Sequence, residues 1–115
     1  MDVVIIGKEV EIDSTLKAYI RRRIDFALSR FSTRAGHIRV VVTNKSGPFG
    51  GIEKSCRIRV QLHGDTTIAA FSSDEDLNVA ITHATHQIHR MVARRIETGR
   101  PHAATKRIDL DWIEK

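Results

Sequence analysis

The sequence has little of what would tie a chain together covalently, carry it across a membrane or make it an enzyme. It holds one cysteine in 115 residues, so no internal disulfide can form. Cys56 lies in an alternating pattern and reads as a buried apolar filler rather than a reactive thiol. No stretch approaches the roughly 18 consecutive apolar residues of a membrane span. The opening Met1-Asp2-Val3-Val4-Ile5-Ile6 lacks the basic segment and longer apolar run of a signal peptide. Together these absences predict a cytoplasmic protein without membrane contact. There are two prolines, and both fall at breaks: Pro48 in a glycine-rich loop, Pro101 beyond the second helix. Internal repeats and low-complexity tracts are absent.

Catalytic signatures are missing as well. The chain has no Gly-x-Ser-x-Gly, no glycine-rich phosphate loop ending in Lys-Ser/Thr and no Cys–His pairing. Gly47, Gly50 and Gly51 are turn glycines with no helix after them. An enzyme, a cofactor and a small-molecule substrate are therefore not expected. Six histidines are present, and His83, His86 and His89 follow one another in steps of three. Helical zinc ligands favour a step of four, and steps of three drift around the helix. With no paired cysteines and no carboxylate triad beside them, a metal site is not expected. His37, His63 and His102 fall at loop or strand-end positions and say little.

What is present is a modest core and a basic balance. A hydrophobic fraction of 41% excludes a disordered chain, and this length suits one domain, of which about 100–200 residues is usual. Lysine and arginine total 19 against 14 acids, a net charge of +5, with a pI near 9.9. Arginine is the main cation, which suits planar, bidentate contact with phosphate. Net charge alone says little, so the placement of the charges decides.

The periodicities predict six elements and a tail. Residues 3–12 form a strand signal, with Val4, Ile6, Val10 and Ile12 at even positions and Gly7 as a bulge or bend. Asp13 and Ser14 offer caps for a helix over 15–31, whose stripe is Leu16, Ile20, Ile24, Ala27, Leu28 and Phe31. Ile38, Val40 and Val42 alternate along a second strand; Cys56, Ile58, Val60 and Leu62 alternate along a third, with Arg57, Arg59, Gln61 and His63 on its solvated face. The stretch 46–51 is the hairpin loop between them, His63-Gly64-Asp65 makes a tight turn, and 66–72 is a fourth strand. Ser73 caps a second helix with Asp74, Glu75 and Asp76 in its first turn, and the stripe Leu77, Ile81, Ala84, Ile88, Met91 and Val92 runs along it. The expected fold is α+β: a β-α-β-β-β-α two-layer sandwich, a four-stranded sheet with two helices packed on one face. Residues 1–98 form the domain and 99–115 a flexible C-terminal tail.

Two helices side by side expose a shared outer surface. The candidates for anion contact there are Lys17, Arg21, Arg22, Arg23 and Arg30 from the first helix, and His83, His86, Gln87, Arg90 and Arg94 from the second. Asp25 is the only acid between Lys17 and Arg30. Such a stripe can follow a phosphate backbone, and its bland alternative is a solvated face. No aromatic reads as free for base stacking, so phosphate contact is better supported than base readout.

Several stretches also resemble one family. Ile6-Gly7-Lys8-Glu9-Val10-Glu11-Ile12 is similar to the first strand of the ribosome hibernation promoting factors (protein Y, sigma-54 modulation proteins). Leu16-Lys17-Ala18-Tyr19-Ile20 resembles their helix start, Arg23-Ile24 a Lys-Leu pair, and Phe31 the aromatic that closes the helix. Asp74-Glu75-Asp76-Leu77-Asn78-Val79-Ala80-Ile81 resembles the opening of their second helix, and Arg90 and Arg94 fall on basic positions. The resemblance covers roughly residues 3 to 96. The chain departs from the family pattern at Phe26, where lysine is common, and over Gln87-Ile88-His89-Arg90-Met91-Val92.

The resemblance implies the fold already derived. It also implies a partner, the small ribosomal subunit, with helix cations gripping rRNA over the mRNA and tRNA sites during stress or stationary phase. By the same resemblance this is the short form, a monomer off the ribosome, without a C-terminal dimerisation domain. Two alternatives stay open. One is a protein-interaction module using a sheet edge or the acidic–apolar stretch Ile108-Asp109-Leu110-Asp111-Trp112-Ile113. The other is a metal or small-ligand protein using the histidines.

Overall fold

Alternation with a period of two builds the sheet, and a 3.6-residue stripe builds each helix. The computed structural model describes residues 2–46, 52–64 and 66–98. Within them the chain runs β1 (Asp2–Lys8), α1 (Ser14–Leu28), a single 3₁₀ turn (Ser29–Phe31), β2 (Ala35–Ser46), β3 (Ile52–Leu62), β4 (Thr66–Asp74) and α2 (Leu77–Thr98). The four strands form one sheet in the order β1-β2-β3-β4. β1 runs parallel to β2, with α1 as the crossover, and the other neighbours are antiparallel. The expected β-α-β-β-β-α order is the observed one.

Both helices cover one face of this sheet. Ile20, Ile24 and Leu28 of α1, with Ile81, Ala84, Ile88 and Val92 of α2, pack on Ile38, Val40 and Val42 of β2, on Cys56, Ile58, Val60 and Leu62 of β3, and on Ile68 and Ala70 of β4. Burying each large aliphatic side chain stabilises by about 1.5–3 kcal/mol. Cys56 sits fully inside this layer, and burial pushes its thiol up to about 12, so it is an inert apolar filler as expected.

Three boundaries differ from the sequence reading. The first strand stops at Lys8 instead of reaching Ile12, because the chain folds back on itself. A Cβ on Gly7 would lie 2.5 Å from the Val10 carbonyl oxygen, and Glu9 takes a left-handed φ of 60°. Val3 and Ile5 face the core from β1, and Val10 and Ile12 pack against it from the connection. Val4 stands 54% exposed on the opposite face.

The second correction concerns the start of α2. Ser73 does not cap it, since β4 continues to Asp74. Asp76 does: its carboxylate accepts from the Asn78 amide at 2.9 Å and its carbonyl from the Ala80 amide at 3.1 Å. Asp74 in turn accepts from the Asp76 amide at 2.9 Å, so the acids precede the helix. Third, α1 ends at Leu28, and Phe31 closes it from the 3₁₀ turn. Gly64 takes the left-handed φ of 95° that the turn after β3 requires. The hairpin tip 47–51, His102, the stretch Ile108–Ile113 and the whole expected tail lie outside the described residues.

Candidate nucleic-acid interface

α1 is placed by its cap. Asp13 accepts from the Leu16 amide at 2.8 Å through its carboxylate, which starts the helix where Ile20, Ile24 and Leu28 meet the sheet. Lys17, Arg21, Arg22 and Arg30 are then exposed and Arg23 is half-buried. On α2 the stripe fixes the same outcome: His83, His86, Arg90 and Arg94 are exposed, and Gln87 is half-buried.

The ten expected residues do not form one cluster. Arg21 turns toward the sheet edge, where its guanidinium donates to the Val3 carbonyl at 3.4 Å. Lys17, one turn earlier, shares that flank. Arg22, Arg23 and Arg30 occupy the outer side and the flank nearer α2. On α2, His83, Arg90 and Arg94 stack along the outer side. The Gln87 side-chain oxygen accepts from the Phe71 amide at 3.4 Å, which commits Gln87 to the outer edge of β4. The result is a basic band crossing both helices.

The helices are joined beneath this band by a residue the sequence reading weighed only as a metal ligand. His89 Nδ1 lies 2.7 Å from the Ala27 carbonyl oxygen. A carbonyl can only accept, so Nδ1 carries the proton. Ala27 is in the last turn of α1, where carbonyls lack helical partners, and His89 supplies the missing donor. Its ring also lies 5.7 Å from that of Phe31, and the Arg30 guanidinium sits 5.1 Å from the Phe31 centroid. Arg30 is thereby held at the helix junction. The buried Nε of Arg23 has no hydrogen-bond partner among the described residues.

Two aromatics overturn the expectation that none is available for stacking. Phe26 stands 88% exposed on α1, and Phe71 stands 47% exposed on β4. Phe26 could have been found from the sequence, because it falls off the Ile20–Ile24–Leu28 stripe and beside Arg22 and Arg30. Among the described residues no three His, Cys, Asp or Glu side chains converge to hold a metal ion, and no helix is long and apolar enough to cross a membrane.

Comparison with known proteins gives a consistent picture. Residues 3–99 match the family described as sigma 54 modulation protein / S30EA ribosomal protein. A ribosomal subunit interface protein from Coxiella burnetii superposes with a TM-score of 0.65 at 18% identity, covering 84% of this chain and 99% of that one. The N-terminal domain of Thermus thermophilus Protein Y superposes with a TM-score of 0.64 at 21% identity, covering 82% of this chain and 98% of that one. No curated protein matches the chain in sequence. At these identities the two structures bear on the fold.

Proposed function

The chain belongs to the sigma 54 modulation protein / S30EA ribosomal protein family, and we propose that it is a cytoplasmic ribosome-binding translation inhibitor. It occupies the mRNA and tRNA channel of the small subunit during stress or stationary phase. The observation that carries this reading is the basic band across the two helices, with Arg22, Arg23 and Arg30 on one and His83, Arg90 and Arg94 on the other. The phosphates of rRNA are the natural counter-charge for such a band. Exposed Phe26 adds an apolar contact beside Arg22 and Arg30. The mechanism is steric: bound in the channel, the domain excludes mRNA and tRNA, and no bond is made or broken.

Co-sedimentation with vacant ribosomes and isolated small subunits tests this across a salt series. Neutralising about five phosphates gives a log–log salt slope of roughly −3 to −5, and mRNA with tRNA should compete. The double variant Arg90→Glu with Arg94→Glu should lose co-sedimentation while keeping its urea midpoint. Undiminished co-sedimentation of that folded variant would count against the assignment.

A further inference from the structure

Phe26 is a large apolar side chain that takes no part in the core. It stands 88% exposed on α1, off the Ile20–Ile24–Leu28 stripe that meets the sheet. An exposed phenylalanine gains almost nothing from burial and is a weaker helix former than alanine or lysine. Among the described residues the ring contacts join Phe31 to His89, Arg30 to Phe31 and Arg57 to Phe71. Phe26 has none there, and both faces of its ring are open.

The surroundings of this ring are cationic. Arg22 lies four residues before it, and Arg30 four after it in the 3₁₀ turn. Both are exposed, and such spacing puts them on the same side of the helix. The next residue, Ala27, accepts from His89 at 2.7 Å, so the turn of α2 bearing exposed His86 and Arg90 lies alongside. The one carboxylate within four residues along α1, Asp25, is the sequence neighbour, and adjacent helix positions do not face each other. The other exposed large apolar side chains lie elsewhere. Val4 and Phe71 are on the sheet, and Met91 follows Gln87 by one turn on the flank committed to β4. Phe26 is therefore an isolated ring among cations and not part of an apolar patch of the kind a protein partner covers. A π-face flanked by guanidinium groups matches a nucleotide, which joins a stacking base to an anionic phosphate.

We infer that Phe26 is a stacking platform for an unpaired RNA base, by which the helix band selects single-stranded RNA over duplex. This rests on the reading of the band as an rRNA-binding surface. The base lies on the Phe26 ring, and Arg22 and Arg30 take phosphates on either side of it. A duplex keeps its bases stacked inside, out of reach of a ring on a helix surface, so duplex RNA engages the cations alone.

The test is anisotropy titration of the full chain against a labelled 12-nucleotide oligouridylate and a labelled 12-base-pair RNA duplex across a salt series, beside co-sedimentation with isolated small subunits. Phe26→Ala should weaken oligouridylate binding by about 5- to 150-fold, the usual effect of losing one base–aromatic stack. The log–log salt slope should stay the same, because no charge is lost. Phe26→Trp should restore binding and Phe26→Leu should not, since leucine is apolar without a π-face. Duplex binding should change by less than about twofold in all three, because its contacts are ionic. An unchanged urea midpoint shows that each variant keeps the fold. A parent chain whose oligouridylate binding does not depend on Phe26 would overturn the stack. So would a Phe26→Leu variant that binds small subunits as tightly as the parent, because an apolar contact with a protein would then explain the residue. A parent chain that ignores small subunits yet binds oligouridylate through Phe26 would remove the ribosomal reading and uphold the stack.

Discussion

The two faces of the sheet obey the same alternation and end in opposite states. The face under the helices is apolar throughout its centre, with Val40, Val42, Ile58 and Val60 fully buried. The opposite face carries arginines in register, an exposed valine and a half-exposed phenylalanine. The first face is built for stability, and its composition needs no ligand to explain it. The second lies outside the buried core, and its side chains are polar or partly exposed. Substitutions along one strand should expose this contrast most strongly. Ile58→Ala should cost about 2–5 kcal/mol by lost burial and a residual cavity. Gln61→Ala, three residues on but exposed, should stay within about 0.5 kcal/mol. Urea unfolding of the two variants checks both, and a small loss at Ile58 would mean that the covered face is not the closed core described here.

The covered face was largely legible in the sequence, because alternation in β2 and β3 and the stripes of both helices each have one reading. β1 was not, since Val3, Val4, Ile5 and Ile6 are all apolar and parity cannot choose between them. What decides it is the fold-back at Gly7, a contact with Val10 and Ile12 that the spacing alone does not reveal. The start of α2 failed for a related reason: Ser73, Asp74 and Asp76 can all cap, and only the length of β4 selects Asp76. On the helices, the basic residues could be named but not their flanks, so the departure of Arg21 toward Val3 and the commitment of Gln87 to β4 came from packing. On the open face the arginines read as solvated, and their cross-strand register was invisible.

The Gly7 contact supplies the next largest effect. An added Cβ would meet the Val10 carbonyl oxygen at 2.5 Å and Ile12 Cγ1 at 2.9 Å, and backbone cannot yield as a flexible side-chain end can. Gly7→Ala should therefore cost about 1–3 kcal/mol, measured as a lower urea midpoint with an unchanged slope. An unaffected midpoint would show that β1 leaves the sheet by another path. A smaller effect is expected at the helix junction. His89→Ala removes the donor to the Ala27 carbonyl and should cost about 1 kcal/mol. The ¹⁵N shifts of the imidazole should report a protonated Nδ1, and a protonated Nε2 with a bare Nδ1 would contradict the assigned bond.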